Sequence, residues 1–134
     1  MLRLGKEREL MNVVDDQIGR PTYAPDLAQA SLKAAIKMCG NPALKSAIYH
    51  VSNAGVEISW AKFADSIFSE FENDLGHKVT VKGIPSSEYP TPATRPAYSV
   101  MDIETFEKAF NYSLPSWRDG LSRAAILYRQ SHSA

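Results

Sequence analysis

Two short segments of the chain concentrate the residue types that could bind a ligand. The first runs from Asp16 to Tyr23 and reads DQIGRPTY, so that an amide (Gln17), a guanidinium (Arg20), a hydroxyl (Thr22) and a phenol follow one another closely. Such groups exchange hydrogen bonds with sugars and bases, and a guanidinium suits bidentate phosphate binding. Polar side chains on a loop held between a strand and a helix are typical of a binding site. A plain polar turn is the alternative.

The second segment runs from Glu88 to Pro96 and reads EYPTPATRP. It lies in residues 84–97, which contain four prolines and no helical period. Proline fixes its own backbone angle, which reduces the entropy lost when Tyr89 and Arg95 are held in place. We therefore expect a long, stiffened binding loop, with a surface linker as the alternative.

The residues needed for several other chemistries are missing. The sequence has no GxG turn, P-loop or GxSxG motif. Its three histidines lie far apart, without a carboxylate or cysteine at ligand spacing, so we assign no metal site. Asp15 and Asp16 could form an acid–base pair, but adjacent strand residues point to opposite faces, which favours a turn at a strand end. We assign no catalytic residue.

The amino-acid composition argues against nucleic acid and membranes as binding partners. The 134 residues contain 15 Lys plus Arg and 15 Asp plus Glu, giving a formal charge of zero. The chain thus has no long-range attraction for nucleic acid or anionic lipid. A lone cysteine, Cys39, excludes an internal disulfide, and no apolar run is long enough for a signal sequence or a membrane span. We expect a cytoplasmic domain without nucleic-acid or membrane partners.

Hydrophobic patterning predicts an α/β fold in which short strands alternate with about four helices. Strands are expected at Met11–Asp15, Ala47–Ser52 and His77–Gly83, and helices from Pro25 to Gly40, from Trp60 onward, from Asp102 to Phe110 and after Ser116. Ser59 is expected to cap the helix that starts at Trp60. Trp60 lies on the apolar stripe of that helix, so we expect it in the core.

The same two segments, in this order, resemble part of a known enzyme family. The resemblance is carried by MLRLGKERE (1–9), VVDDQIGRPTYAPDLA (13–28), IYHVSNAGVEISWAKFA (48–64), YPTPATRPAYSVMD (89–102) and LPSWRDGL (114–121). These strings are similar to the C-terminal part of the dTDP-4-dehydrorhamnose reductase family of extended short-chain dehydrogenases/reductases. The similarity covers nearly the whole chain.

The resemblance implies a two-part enzyme. An N-terminal Rossmann part would bind NADP(H), and a smaller C-terminal part would close over a dTDP-sugar. Residues 1–134 match only this second, substrate-binding region. None of the six tyrosines is followed by Lys four positions later, so the family's Tyr-x-x-x-Lys pair is absent and we expect this segment alone to be inactive.

The resemblance also suggests roles for individual residues. Arg20 or Arg95 would neutralise the diphosphate, and Gln17 and Thr22 would hydrogen-bond the sugar or base. Tyr23 or Tyr89 would stack on thymine. Some family members hold magnesium through glutamates at a dimer interface, but the sequence Tyr-Ala-Pro-Asp at 23–26 stands where such a glutamate is expected, and we assign no metal.

The expected function is thus the substrate-binding part of an NADPH-dependent reductase that forms dTDP-L-rhamnose for polysaccharide biosynthesis. Two alternatives stay open: a non-catalytic regulatory relative, and a sibling reductase or epimerase acting on another nucleotide sugar. The predicted strand at 47–52 would pair with the Rossmann sheet, and its open edge in the segment alone favours a homodimer.

Overall fold

The computed structural model describes residues 1–41, 43–44 and 47–132. These residues form two compact units. The first comprises Met1–Gly19, Glu57–Val100 and Leu121–Ala134, and the second comprises Arg20–Val56 and Met101–Gly120.

Helices and short strands alternate along the chain, as the sequence predicts. The strands are β1 (Leu10–Val14), β2 (Ile18–Gly19), β3 (Ile58–Ser59) and β4 (Thr80–Ile84). The helices are α1 (Leu2–Gly5), α2 (Ala24–Gly40), α3 (Trp60–Glu70), α4 (Glu72–Leu75), α5 (Glu104–Phe110) and α6 (Trp117–His132), with a 3₁₀ turn at Ser86–Glu88. No helix in the described ranges is both long enough and apolar enough to cross a membrane.

The first unit is built on a parallel pair of strands. β1 and β4 pair in a register that runs from Leu10 opposite Thr80 to Val14 opposite Ile84. Helix α3 packs against both strands. Its Ala64 and Phe68 are buried with Met11 of β1 and with Val79, which precedes β4. The small core therefore fixes the strand pair and the helix together.

Helix α3 begins where the sequence places its cap. The Ser59 hydroxyl oxygen accepts a hydrogen bond from the Lys62 backbone N–H at 3.2 Å, which satisfies one of the free donors of the first turn. The Ser59 hydroxyl also donates to the carboxylate of Asp15. The cap therefore ties the start of α3 to the end of β1.

The second unit has a separate apolar cluster. Ala30 of α2 and Phe106 and Phe110 of α5 are buried together with Leu114. The Tyr49 ring packs edge-on against Phe110, with 4.9 Å between ring centroids. Helix α2 thus buries one face against α5, consistent with the helix predicted from Pro25 to Gly40.

The strand predicted at Ala47–Ser52 is wrong, because residues 47–53 form no strand. Alternation is present, since Tyr49 and Val51 pack on the cluster while Ile48 is exposed. The backbone, however, has no ladder partner there, and the nearest pairing is an isolated bridge between Ala54 and Ser116. Side-chain packing alone accounts for the pattern.

A buried amide organises the rest of the second unit. Asn53 is fully buried, and its Oδ1 accepts from the Tyr23 N–H at 2.6 Å. Its Nδ2 donates to the Asp26 carboxylate at 2.7 Å and to the Pro115 carbonyl at 2.9 Å. These bonds satisfy every polar atom of the buried amide group, as buried polar groups require. They also link residue 53 to residues 23–26 and to Pro115.

Replacing Asn53 by Ala removes these three hydrogen bonds from buried surroundings. We expect the free energy of unfolding to fall by about 2–4 kcal/mol, measured by urea denaturation. Asn73→Ala, at an exposed position of α4, is the matched control and should change it by less than about 0.5 kcal/mol. Equal effects of the two substitutions would contradict the role given to Asn53.

The last helix of the chain carries an arginine that joins α3 and α4. The Arg129 guanidinium donates to the Asp74 carboxylate at 2.8 and 3.0 Å and to the Glu70 carbonyl at 2.6 Å. The hydrogen bonds from Arg129, and secondarily its charge, lower the pKa of Asp74 below its ordinary 3.8.

Because the folded-state pKa of Asp74 is depressed, its contribution to stability is present above about pH 3.8 and is lost as the pH falls through the lowered value. Asp74→Asn should therefore be less stable than the parent at pH 6, with a difference that shrinks as the pH falls below 3.8. Urea denaturation at several pH values measures this. Asp65→Asn, on the exposed face of α3, is the matched control and should change the free energy of unfolding at pH 6 by less than about 0.5 kcal/mol.

Candidate functional site

Three of the residues predicted to bind ligand, Gln17, Tyr89 and Arg95, line one cavity in the first unit. Its volume is about 370 Å³, within the range of small-molecule sites. The other walls come from α1, β1, the start of α3 and the proline-rich loop, and they include Leu4, Met11, Val13, Trp60 and Thr91. An adjoining cavity of about 280 Å³ shares Gln17, Tyr89, Thr91 and Arg95. The structure thus brings these three predicted residues together, and their role in ligand binding stays a prediction.

The cavity runs along the edge of β1. Met11, Asn12, Val13 and Val14 all line it. Successive residues of a strand point to opposite faces, so a space that touches four in a row must follow the strand's edge. β4 occupies the other edge of β1. The cavity therefore follows the edge to which a further strand could be added.

The proline-rich loop presents Arg95 and Tyr89 with their polar groups available. Tyr89 is 58% exposed, and Arg95 is exposed as well. Within the described part of the chain, neither side chain has a hydrogen-bond partner. Each directly precedes a proline, as does Thr91, and a residue before proline is restricted to extended backbone. The three cavity-lining side chains of this loop therefore have little backbone freedom.

The prediction that Trp60 lies in the core is wrong. The side chain is 43% exposed and forms part of the cavity wall, while Ala64 and Phe68 of the same helix are buried. Trp60 is the first residue of α3, so its ring lies beyond the end of the core rather than above it. Its position directly after the capping Ser59 is the signal that could have revealed this.

The loop is fastened to the end of β1 by a carboxylate. Asp16 accepts hydrogen bonds from the Ser86 backbone N–H at 2.9 Å and from the Ser86 hydroxyl at 2.6 Å. The hydroxyl bond, and then the backbone bond, lower the pKa of Asp16 below its ordinary 3.8. Asp15 bonds Ser59 instead, so the two adjacent carboxylates have separate partners.

The other three predicted residues, Arg20, Thr22 and Tyr23, belong to the second unit. The Arg20 Nη1 lies 3.5 Å from the Met101 carbonyl, and its buried Nε has no partner among the described residues. Thr22 is exposed. The position of Tyr23 is fixed by two contacts. Its backbone N–H donates to Asn53, and its Cβ packs so tightly on Gly120 that a Cβ added to that glycine would lie only 2.8 Å away.

Neither a metal nor a dinucleotide fits the residues that are described. Within those ranges no three His, Cys, Asp or Glu side chains come together as metal ligands. The loop after β1 carries two carboxylates and continues into the short strand β2, whereas a dinucleotide pyrophosphate needs a glycine-rich turn that opens a helix.

The chain is similar to known proteins in both sequence and fold. A family model described as the RmlD substrate binding domain matches residues 1–129. The dTDP-4-dehydrorhamnose reductase of Sinorhizobium fredii is 39% identical over 124 residues, which are 92% of this chain and 42% of that protein.

Two solved structures have the same fold. The dTDP-4-dehydrorhamnose reductase of Bacillus anthracis, solved in complex with NADP, matches with a TM-score of 0.74 at 36% identity, covering 94% of this chain and 41% of that one. The enzyme of Clostridium acetobutylicum matches with a TM-score of 0.79 at 29% identity, covering 96% of this chain and 42% of that one.

These neighbours place the fold in the extended short-chain dehydrogenase/reductase class, where it is the α/β region toward the C-terminus. The chain belongs to the RmlD substrate-binding domain family. It spans about two fifths of the length of the relatives named above.

The partial exposure of Trp60 predicts a modest role in stability. Trp60→Ala should lower the free energy of unfolding by less than about 1.5 kcal/mol, whereas Phe68→Ala, at a position only 2% exposed, should lower it by about 3–5 kcal/mol. Urea denaturation of both variants measures the difference. A loss for Trp60→Ala as large as that for Phe68→Ala would return Trp60 to the core.

Proposed function

We propose that this chain is the sugar-nucleotide-binding part of an NADPH-dependent reductase that converts dTDP-4-dehydro-L-rhamnose to dTDP-L-rhamnose. The observation that carries the proposal is the cavity in which a guanidinium, a phenol, an amide and an indole face the same space. Membership of the RmlD substrate-binding family supports it.

The cavity has the groups that a nucleoside diphosphate sugar requires. Arg95 provides a planar, permanently charged donor that can bind two diphosphate oxygens at once. Tyr89 and Trp60 offer flat apolar faces against which a pyrimidine ring can stack. The carbonyl oxygen of Gln17 can accept a hydrogen bond from a sugar hydroxyl, since its amide nitrogen donates to Ser86 at 2.8 Å.

Arg20, Thr22 and Tyr23 belong to the second unit. We propose that they too bind the nucleotide sugar, through a cation, a hydroxyl and an aromatic face. This assignment rests on the residue types and on the backbone of Tyr23 being held by Asn53.

The chemistry itself would come from the N-terminal part. When bound there, NADPH would supply hydride to the C4 ketone, and a tyrosine beside a lysine would supply the proton that the ketone oxygen takes up. We propose that this part adds its sheet to the open edge of β1, in place of the edge predicted at 47–52, so that it covers the side of the cavity along β1 and leaves the polar side at Gln17, Tyr89 and Arg95 for the ligand. That arrangement would bring the reacting ketone close to the cavity, because ligands of open α/β sheets bind at the carboxyl ends of the strands.

Turnover by the full-length protein tests the proposed function. NADPH oxidation should depend on dTDP-4-dehydro-L-rhamnose and should be much slower with other nucleotide ketosugars. Preference for another sugar would favour a sibling reductase or epimerase, and binding without turnover would favour a regulatory relative. Three further points stay predictions: the inactivity of this segment alone, its cytoplasmic location and a homodimer. Sedimentation tests the homodimer.

Arg95→Ala in the full-length protein should raise the KM for the dTDP-sugar roughly tenfold to hundredfold, because a charge-assisted pair with the diphosphate is lost. The Kd for NADPH should be unchanged. Arg8→Ala, which removes an exposed arginine outside the cavity, is the control and should alter neither constant. Equal losses of sugar and NADPH affinity in Arg95→Ala would contradict the assignment.

A further inference from the structure

Ser86, near the start of the proline-rich loop, is hydrogen-bonded to the loop that follows β1. Asp16 accepts from both its N–H and its hydroxyl, and Gln17 donates to the same hydroxyl oxygen. Ser86 therefore has three hydrogen bonds to two successive residues, which is many for a half-buried surface serine.

The far end of the loop is attached to the next residue of the same segment. The Ile18 N–H donates to the Ala97 carbonyl at 2.7 Å, and the Ser99 N–H donates to the Ile18 carbonyl at 2.9 Å. Asp16, Gln17 and Ile18 thus hold both ends of the loop. Residues 87–96 lie between the two attachments, and they include Tyr89 and Arg95.

The orientation of Ser86 affects the positions of Tyr89 and Arg95, because the backbone between them is stiff. The Tyr89 N–H donates to the Ser86 carbonyl at 3.0 Å and closes the 3₁₀ turn. Tyr89, Thr91 and Arg95 are each followed by proline, so the backbone beyond the turn is stiff. A rotation of the turn at Ser86 would therefore move Tyr89 and Arg95 together.

We infer that Ser86 is a positioning residue for the nucleotide diphosphate: held by Asp16 and Gln17, it sets the direction in which the loop presents Tyr89 and Arg95 to the cavity. The inference rests on the proposed function. The start of the loop is already fixed at Ile84, whose carbonyl accepts a hydrogen bond from the Asp15 N–H. The bonds of Ser86 therefore set the direction in which the loop leaves β4.

Four variants of the full-length protein separate positioning from general stability: Ser86→Ala, Ser86→Thr, Ser87→Ala and Arg95→Ala. The Kd for dTDP is measured by titration calorimetry, and the order of residues 89–95 by backbone nitrogen relaxation. Ser86→Ala should weaken dTDP binding about tenfold and lower the order parameters of the loop below about 0.6. Ser86→Thr retains the hydroxyl and should restore both values. Ser87→Ala removes a neighbouring exposed hydroxyl and should change neither.

The decisive measurement combines Ser86→Ala with Arg95→Ala. If Ser86 acts through the loop's ligand-binding side chains, the added loss of dTDP affinity in the Arg95→Ala background should fall clearly below tenfold, to the part of the effect that acts through Tyr89. In turnover, Ser86→Ala should raise the KM for the sugar nucleotide and leave kcat within about twofold.

Three results would overturn the inference: an unchanged Kd for dTDP in Ser86→Ala, an undiminished tenfold loss in the Arg95→Ala background, or a loop that stays ordered without the hydroxyl. A parent protein that does not bind dTDP at all would instead contradict the proposed function. The relaxation data need no ligand and would still decide whether Ser86 orders the loop.

Discussion

The register of the parallel pair β1 and β4 determines which residues can meet at the site. Parallel strands end at the same edge, and here the last pair is Val14 opposite Ile84. Asp16 and Ser86 each lie two residues beyond that pair, so the carboxylate and the hydroxyl emerge side by side. A shift of one residue would offset them by a strand step and turn every core side chain of β1 to the other face. The loop attachment is thus a consequence of the core.

Much of the first unit could be predicted from local sequence signals. Helix α3 begins at the predicted cap, and the strands β1 and β4 overlap the predicted ranges. The partnership between β1 and β4 could not be predicted, because periodicity shows that a segment is extended but not which distant segment pairs with it. The same limit explains the error at 47–52, where alternation reflects packing on Phe110 without a neighbouring strand.

The candidate site was predictable in its residue types and less so in its construction. The polar members Gln17, Tyr89 and Arg95 line the cavity, as a guanidinium and a phenol on a stiff loop suggest. Trp60 was missed because an apolar stripe cannot distinguish the end of a helix from its middle. Ser86 was missed because serine is common in turns for local reasons, and its partners lie far away in the sequence.

The amide at Asn53 has a consequence for protein engineering. The Asn53 side chain satisfies three distant backbone and carboxylate groups and so restrains the chain around it, whereas the exposed Asn41, which follows α2, hydrogen-bonds near neighbours among the described residues. Circular permutation or the grafting of a recognition peptide should therefore be accommodated after α2 and rejected beside residues 52–54. Redesign of this unit must preserve the hydrogen bonds of Asn53 and not only the volume of its apolar cluster.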